Sequence, residues 1–477
     1  MFIGKSDEFT RRAFLQRSGH LAVAGTAASY ALGLAGLGEA AAFSSSDGYK
    51  ALVCLFLYGG NDHYNTLVPF DAANYGLYSS IRGGNGEAGG GIAFPRADLA
   101  ATALGLPQGQ TLTNDIRYAM APAMPRMKAL YDAGAMAPLL NVGPLLAPLT
   151  KEQYNNGSVP RPPKLFSHND QQSTWQSYSP EGATIGWGGR MGDIAMANSA
   201  NVNSIFTCIS ASGNAVFLAG QNALSYQVSS GGAIAINGVK SGRLYNSTAA
   251  SDALEALLQQ QSGHLLEADL TAIARRSIQS EAFVSDALAP VNIQTSFTQQ
   301  GVNNGLAGQL SAVAKMIAAR EKLGVRRQVF MVSMGGFDHH DALMTKHQPL
   351  LSQIDFALDA FYRATVELGV ADRVTTFTAS DFGRTLSSNG DGSDHGWGAH
   401  HFVVGGAVRG GRFYGTAPAV STQTPDQVGQ GRLLPTTSVD EFTATLGKWF
   451  GVADSEMAGV VPNIGRFARR DIGFMRA

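Results

Sequence analysis

Three apolar runs in this chain stop abruptly, and each is followed within four residues by an aspartate. Lys50–Tyr58 (KALVCLFLY) leads into Gly59-Gly60-Asn61-Asp62-His63. Gln328–Met334 (QVFMVSM) leads into Gly335-Gly336-Phe337-Asp338-His339-His340. Arg373–Ala379 (RVTTFTA) leads into Ser380-Asp381-Phe382-Gly383-Arg384. A fourth cluster comes next, Ser393-Asp394-His395-Gly396-Trp397-Gly398-Ala399-His400-His401, and six of the ten histidines lie between His339 and His401. Carboxylates gathered in one cleft repel one another unless a cation neutralises them. Neutral imidazole with carboxylate is a donor set for Zn²⁺ or Mn²⁺, and a mixed Asp/His site with open positions is of the catalytic kind.

Each of these residues also has a plainer role. Asp62 can form a turn, and Asp381 can cap the next element. His400 and His401 are neighbours, so at most one is expected to reach a shared site. Arg384 can clamp a phosphate or sulfate through its planar fork, or pair with a carboxylate. Ser167, in Phe166-Ser167-His168-Asn169-Asp170, comes after a Pro-rich stretch and is placed to begin a helix. It is a candidate nucleophile or an N-cap, with His168 a further site candidate beside it.

The elements that must position these groups alternate between strand and helix. Continuous apolar runs at 50–58, 136–142, 328–334, 373–379 and 401–408 read as buried strands. Helical spacing marks 120–135, 253–288, 306–323, the last stopping at Gly324, and 343–368, whereas 150–163 is polar and Pro-rich and reads as a loop. Alternation of this kind predicts an α/β fold with a mainly parallel sheet sandwiched by helices. Ligands then sit outside the carboxyl ends of the strands, where the aspartates fall. No fixed-period repeat or linker divides 43–477, which reads as a single domain with a cap or insertion around 175–300.

The N-terminus reads as an address. Thr10-Arg11-Arg12-Ala13-Phe14-Leu15 carries paired arginines, Leu21–Gly38 holds no Asp, Glu, Lys or Arg, and Ala40-Ala41-Ala42 offers a cleavage site. This resembles a twin-arginine export signal spanning 1–42, with a retained anchor as the alternative. It points to a periplasmic or extracellular protein with no other membrane span. Composition excludes several classes. With 35 Lys+Arg against 36 Asp+Glu there is no basic footprint for nucleic acid. Two cysteines cannot build a disulfide framework or a thiolate zinc site. Charged residues are only 15% of the 477, below the roughly 25% of typical domains, and 57 are glycine.

Six segments together resemble the DUF1501 family, which is placed with the alkaline phosphatase and sulfatase superfamily. They are the twin-arginine start, YGGNDHYN at 58–65, SHNDQQSTW at 167–175, GGFDHH at 335–340, SDFGR at 380–384 and SDHGWGAHH at 393–401. The resemblance implies an alkaline phosphatase-like fold holding one or two divalent ions: Zn, Mn, Mg or Ca. It implies Asp62 as first-strand ligand, Asp338 with His340 as an Asp-x-His pair, Asp381 after the third strand, and His395, with His400 a further candidate. An alternative alignment pairs Asp394 with His395. The implied activity is hydrolysis of a phosphate or sulfate ester, small or polymeric. The chain departs from the superfamily plan at the nucleophile, where Ser167 or a water is the candidate. The alternative function is a non-catalytic metal-binding envelope or assembly factor acting with a partner. A DUF1800-family protein is the implied partner.

Overall fold

A computed structural model describes residues 48–84, 91–198, 200–260 and 262–476. The expected export signal, and most of the glycine-rich stretch 83–91, lie outside the described residues. Strand β1 (Lys50–Leu57) lies at the centre of the sheet and is covered on both faces, as its unbroken apolar run requires. Leu52, Cys54 and Phe56 pack with Trp175, Trp187 and Phe442 on one side. Ala51, Val53, Leu55 and Leu57 pack with Leu310, Val313, Leu351 and Leu358 on the other. Each fully buried Leu or Phe here contributes roughly 1.5–3 kcal/mol relative to exposure.

The other sheet strands are β2 (Met136–Gly143), β3 (Cys208–Ser210), β4 (Ser225–Ser229), β5 (Gly232–Ala233), β6 (Arg327–Met334), β7 (Val374–Ser380), β8 (Ala399–Val404), β9 (Tyr414–Gly415) and β10 (Thr437–Ser438). Their order is β9-β2-β8-β7-β1-β6-β3-β4-β5, with β10 also paired to β2. Only β8 and β5 run against the rest. The sheet is thus mixed but mostly parallel, with helices on both faces. Register sets where the central strands end: Leu57 of β1 lies opposite Met334 of β6 and Ser380 of β7. Three chain segments therefore leave the sheet at one level, each carrying its aspartate.

Several boundaries differ from the sequence pattern, for identifiable reasons. The stretch 120–135 is a strand, Tyr118–Met120, then a helix, Pro125–Asp132. Pro125 at the first helical position has its φ fixed for a start there. Within the expected loop 150–163, Lys151–Asn156 is helical, because Thr150 and Gln153 form a capping box and Gly157 ends it in a left-handed turn. The last apolar run ends at Val404, where Gly405 and Gly406 turn the backbone to bond Ala135 and Ala371. Residues 175–300 supply strands β3, β4 and β5 at one side of the sheet and the helices Trp187–Ala197, Asn237–Lys240, Thr248–Gln259 and Leu265–Leu288. No described helix is long and apolar enough to cross a membrane. Both cysteines are buried free thiols.

The turn after β1 tolerates no side chain. Gly59 has φ +111°, and a Cβ there would stand 2.5 Å from the Asp338 backbone nitrogen. Gly59→Val is expected to destabilise the protein by roughly 2–4 kcal/mol, from strain plus displacement of the 337–338 backbone. Urea denaturation measures this; an unchanged midpoint would show that the close approach is dispensable.

Candidate metal centre

Four side chains meet above the level ends of β1, β6 and β7. Asp338 comes just after β6, and His340 two residues later. His395 lies on a two-stranded ribbon, Arg384–Ser388 with Ser393–His395, in which Arg384 pairs with His395. His168 is the first residue of helix α1 (His168–Ser177), with Ser167 at its N-cap. Single donor atoms of His168, Asp338 and His395 all lie within 4.8 Å of one another. His340 Nε2 stands 3.1 Å from Asp338 Oδ1 and 3.0 Å from His395 Nε2. Phe382 packs on both His168 and His395, with ring centroids 4.8 and 4.6 Å away, and so fixes both imidazole planes.

The other nitrogen of each imidazole is engaged from behind. His168 Nδ1 lies 2.6 Å from Asp381 Oδ2, His340 Nδ1 lies 3.2 Å from Asp394 Oδ1, and His395 Nδ1 lies 2.8 Å from the Phe166 carbonyl. A carbonyl or carboxylate only accepts, so each Nδ1 carries a proton, and each Nε2 faces the Asp338 carboxylate. Metal-ligating histidines are oriented in this way. Two lone-pair nitrogens 3.0 Å apart repel unless a cation or proton lies between them. Burial holds the His395 imidazole below its usual range, favouring the neutral ligand form. The hydrogen bond to Asp381 raises that of His168. Burial of Asp338 opposes its ionisation, but Arg384 outweighs this and keeps the carboxylate charged.

The expected residues divide into distinct positions. Asp338, His340, His395 and His168 come together. Asp381 is fully buried behind His168, and its Oδ2 also accepts from Gln172 Nε2 and the Gly59 backbone at 2.9 and 3.1 Å. Its Oδ1 finds no partner among the described residues. Arg384 is fully buried and bonds Asp338 and the carbonyls of Gly59, Gly60, Phe337 and Ser393. It therefore clamps Asp338 and the strand-end turns instead of reaching outward. Ser167 donates to Asp170 Oδ2 at 2.9 Å. His400 is buried elsewhere, accepting from the Asn141 backbone and packed on His63.

Asp62 also stands apart from the four. Its Oδ2 accepts from Arg82 at 2.6 Å and Ser393 at 2.7 Å, and its Oδ1 caps the turn at Asn65. Burial alone would raise its pKa, but Arg82, His347, His63 and Ser393 outweigh that and hold it well below the usual carboxylate range. Two site residues carry weak sequence signals. Gln172 is four residues from His168 and so shares its helix face. Arg82 has no such spacing to Asp62 and is found only by folding.

Removing Arg82 leaves a buried, unpaired carboxylate. Arg82→Ala is expected to cost about 3–5 kcal/mol in chemical denaturation. A loss below about 1 kcal/mol would mean that Asp62 is solvated or otherwise paired. Acid acts on the same region through His63, His347 and His401. Burial lowers each from 6.5 to about 3. The unfolded chain takes up these protons first, so their contribution is complete above about 6.5 and is lost as pH falls toward 3. Thermal melts across that window should show a progressive fall that is reduced in His347→Gln. A flat profile would contradict it.

Fold and centre together define an α/β protein that gathers imidazoles and a carboxylate at the ends of parallel strands. The chain belongs to the DUF1501 family, whose profile, described as a protein of unknown function, matches residues 49–464. No curated protein matches the sequence. Solved structures with loose similarity include Ps i-CgsB in complex with k-i-k-neocarrahexaose, at 8% identity and TM-score 0.35, covering 89% of this chain and 78% of that one. Another comes from work on the metabolism of multiple glycosaminoglycans by Bacteroides thetaiotaomicron. It has 11% identity and TM-score 0.35, covering 86% of this chain and 74% of that one.

Proposed function

We propose that this chain is an exported, metal-dependent hydrolase of phosphate or sulfate esters. The observation that carries the reading is the convergence of three inward-facing Nε2 atoms on the Asp338 carboxylate, each imidazole fixed from behind. His168, Asp338, His340 and His395 would hold the divalent ion, and this nitrogen-rich set suits zinc or manganese better than calcium or magnesium. Bound there, the ion would polarise an ester oxygen and lower the pKa of water. Three neutral imidazoles and one carboxylate leave a divalent ion with net positive charge, which favours an anionic ester over a neutral one. The side chains of Asp338 and His340 are 47% and 45% exposed, so the centre opens to solvent on that side.

The protein's own groups position and exclude. Asp381, Asp394 and the Phe166 carbonyl keep the protons on the outer nitrogens. Arg384 holds Asp338 charged, and Phe382 covers one side of the centre. Three hydroxyls near these elements are engaged: Ser167 with Asp170, Ser393 with Asp62, and Thr66 with the Asp62 carbonyl. Water is therefore the nucleophile we assign. The paired arginines and the uncharged run 21–38 support delivery through the twin-arginine route to the periplasm or beyond.

Elemental analysis of the purified protein should find stoichiometric metal. A panel of phosphate and sulfate esters should show turnover with added Zn²⁺ or Mn²⁺, abolished in Asp338→Ala. Asp381→Asn should weaken metal affinity by roughly 10–100-fold while leaving the fold intact. Stoichiometric metal with no turnover on either ester class would sink the hydrolase reading in favour of a metal-binding envelope factor.

A further inference from the structure

Helix α2 (Leu265–Leu288) is 24 residues long; its first half leans on the chain at Gln259 and Gln260 along one side only, where Thr271 and Arg275 bond their carbonyls. Phe283 stacks on Phe206, just ahead of β3, with ring centroids 5.8 Å apart, and Leu288 lies against Gly232 at the start of β5. The helix thus climbs alongside the strands. At 1.5 Å per residue, the 18 residues before Phe283 extend about 27 Å away from that contact. One stripe of residues at alternating spacings of four and three runs the whole length: Leu266, Leu270, Ile273, Ser277, Ser280, Val284 and Ala287. This is the a/d pattern of a helix that pairs with another helix. In the second half the stripe is covered, with Ser280, Val284 and Ala287 buried. In the first half it is bare, with Leu266, Leu270 and Ile273 exposed at 71%, 62% and 60%.

We infer that a second copy of this chain covers the bare half, through antiparallel pairing of the two α2 helices about a twofold axis. The flanking charges select this occupant. Asp269 and Arg276 are both exposed and seven residues apart, so they lie on the same side of the stripe. In an antiparallel pair, that side of one helix faces the same side of the other. Asp269 of each copy then meets Arg276 of the other, while Leu270 packs beside Ile273 across the axis. A parallel pair would instead set Asp269 beside Ala274 of the other copy, with no charge to meet it. The antiparallel arrangement uses one patch on both subunits and closes at two copies, as an isologous interface does.

Sedimentation of the full chain at micromolar concentrations is expected to give a dimer, and Leu270→Glu with Ile273→Glu a monomer of unchanged melting temperature. Asp269→Arg alone and Arg276→Asp alone should each weaken the dimer by roughly tenfold, since attraction becomes repulsion at two symmetry-related places. Combining the two should restore it. A wild-type monomer at tens of micromolar overturns the inference. So does a dimer indifferent to Leu270→Glu, or a double charge swap that fails to rescue the singles.

Discussion

Three imidazole lone pairs and a carboxylate aimed at one point repel one another unless positive charge lies among them. The surroundings of the centre act to keep them aimed there. Asp381 and Asp394 hold the outer protons of His168 and His340, the Phe166 carbonyl holds that of His395, and Phe382 packs against two of the rings. Arg384 lies behind Asp338 and ties it to the turns after β1 and β6. The fold's contribution is the register of β1, β6 and β7, which end level and deliver these segments to one place. Packing of alternate β1 residues into cores on both faces fixes that register, because a one-residue slip would exchange the two faces.

A second polar layer lies beneath the centre and serves a different purpose. Asp62 and Arg82 form a buried ion pair, and the neutral imidazoles His63 and His347 pack around it. Such a pair adds little net stability over apolar residues of the same size, yet losing one partner is costly. Its value here is positional: Asp62 accepts from Ser393, whose carbonyl accepts from Arg384, which holds Asp338. The chain's sparse charge is consistent with this. Asp62, Arg82 and Arg384 are joined through Ser393 in one connected set beneath the open cluster.

Much of the fold was legible in the sequence. Short, continuous apolar runs marked strands, amphipathic spacing marked the long helix 343–367, and their alternation implied a parallel sheet. The helix at Lys151–Asn156 was hidden because its stability comes from caps in a polar stretch and not from an apolar face. For the site, residues one or two apart at a strand end were informative: Asp338, His340 and the His395 region do converge. What the sequence could not reveal was which of several aspartates remains open. Asp62, Asp338 and Asp381 stand alike after their strands. They are distinguished only by partners distant in sequence: Arg82 for Asp62, and His168 with Gln172 for Asp381. Arg384 was ambiguous for the same reason, since its fork suits an anionic substrate as well as the carbonyls it bonds.

The central claim is that one divalent ion sits among His168, Asp338, His340 and His395. Anomalous diffraction from crystals grown with zinc or manganese, recorded on both sides of the metal absorption edge, tests it most directly. The account predicts a single strong peak within about 2.0–2.2 Å of the imidazole Nε2 atoms and an Asp338 oxygen. A peak centred between Asp62 and Asp381, or none at the four residues with metal in excess, would contradict it.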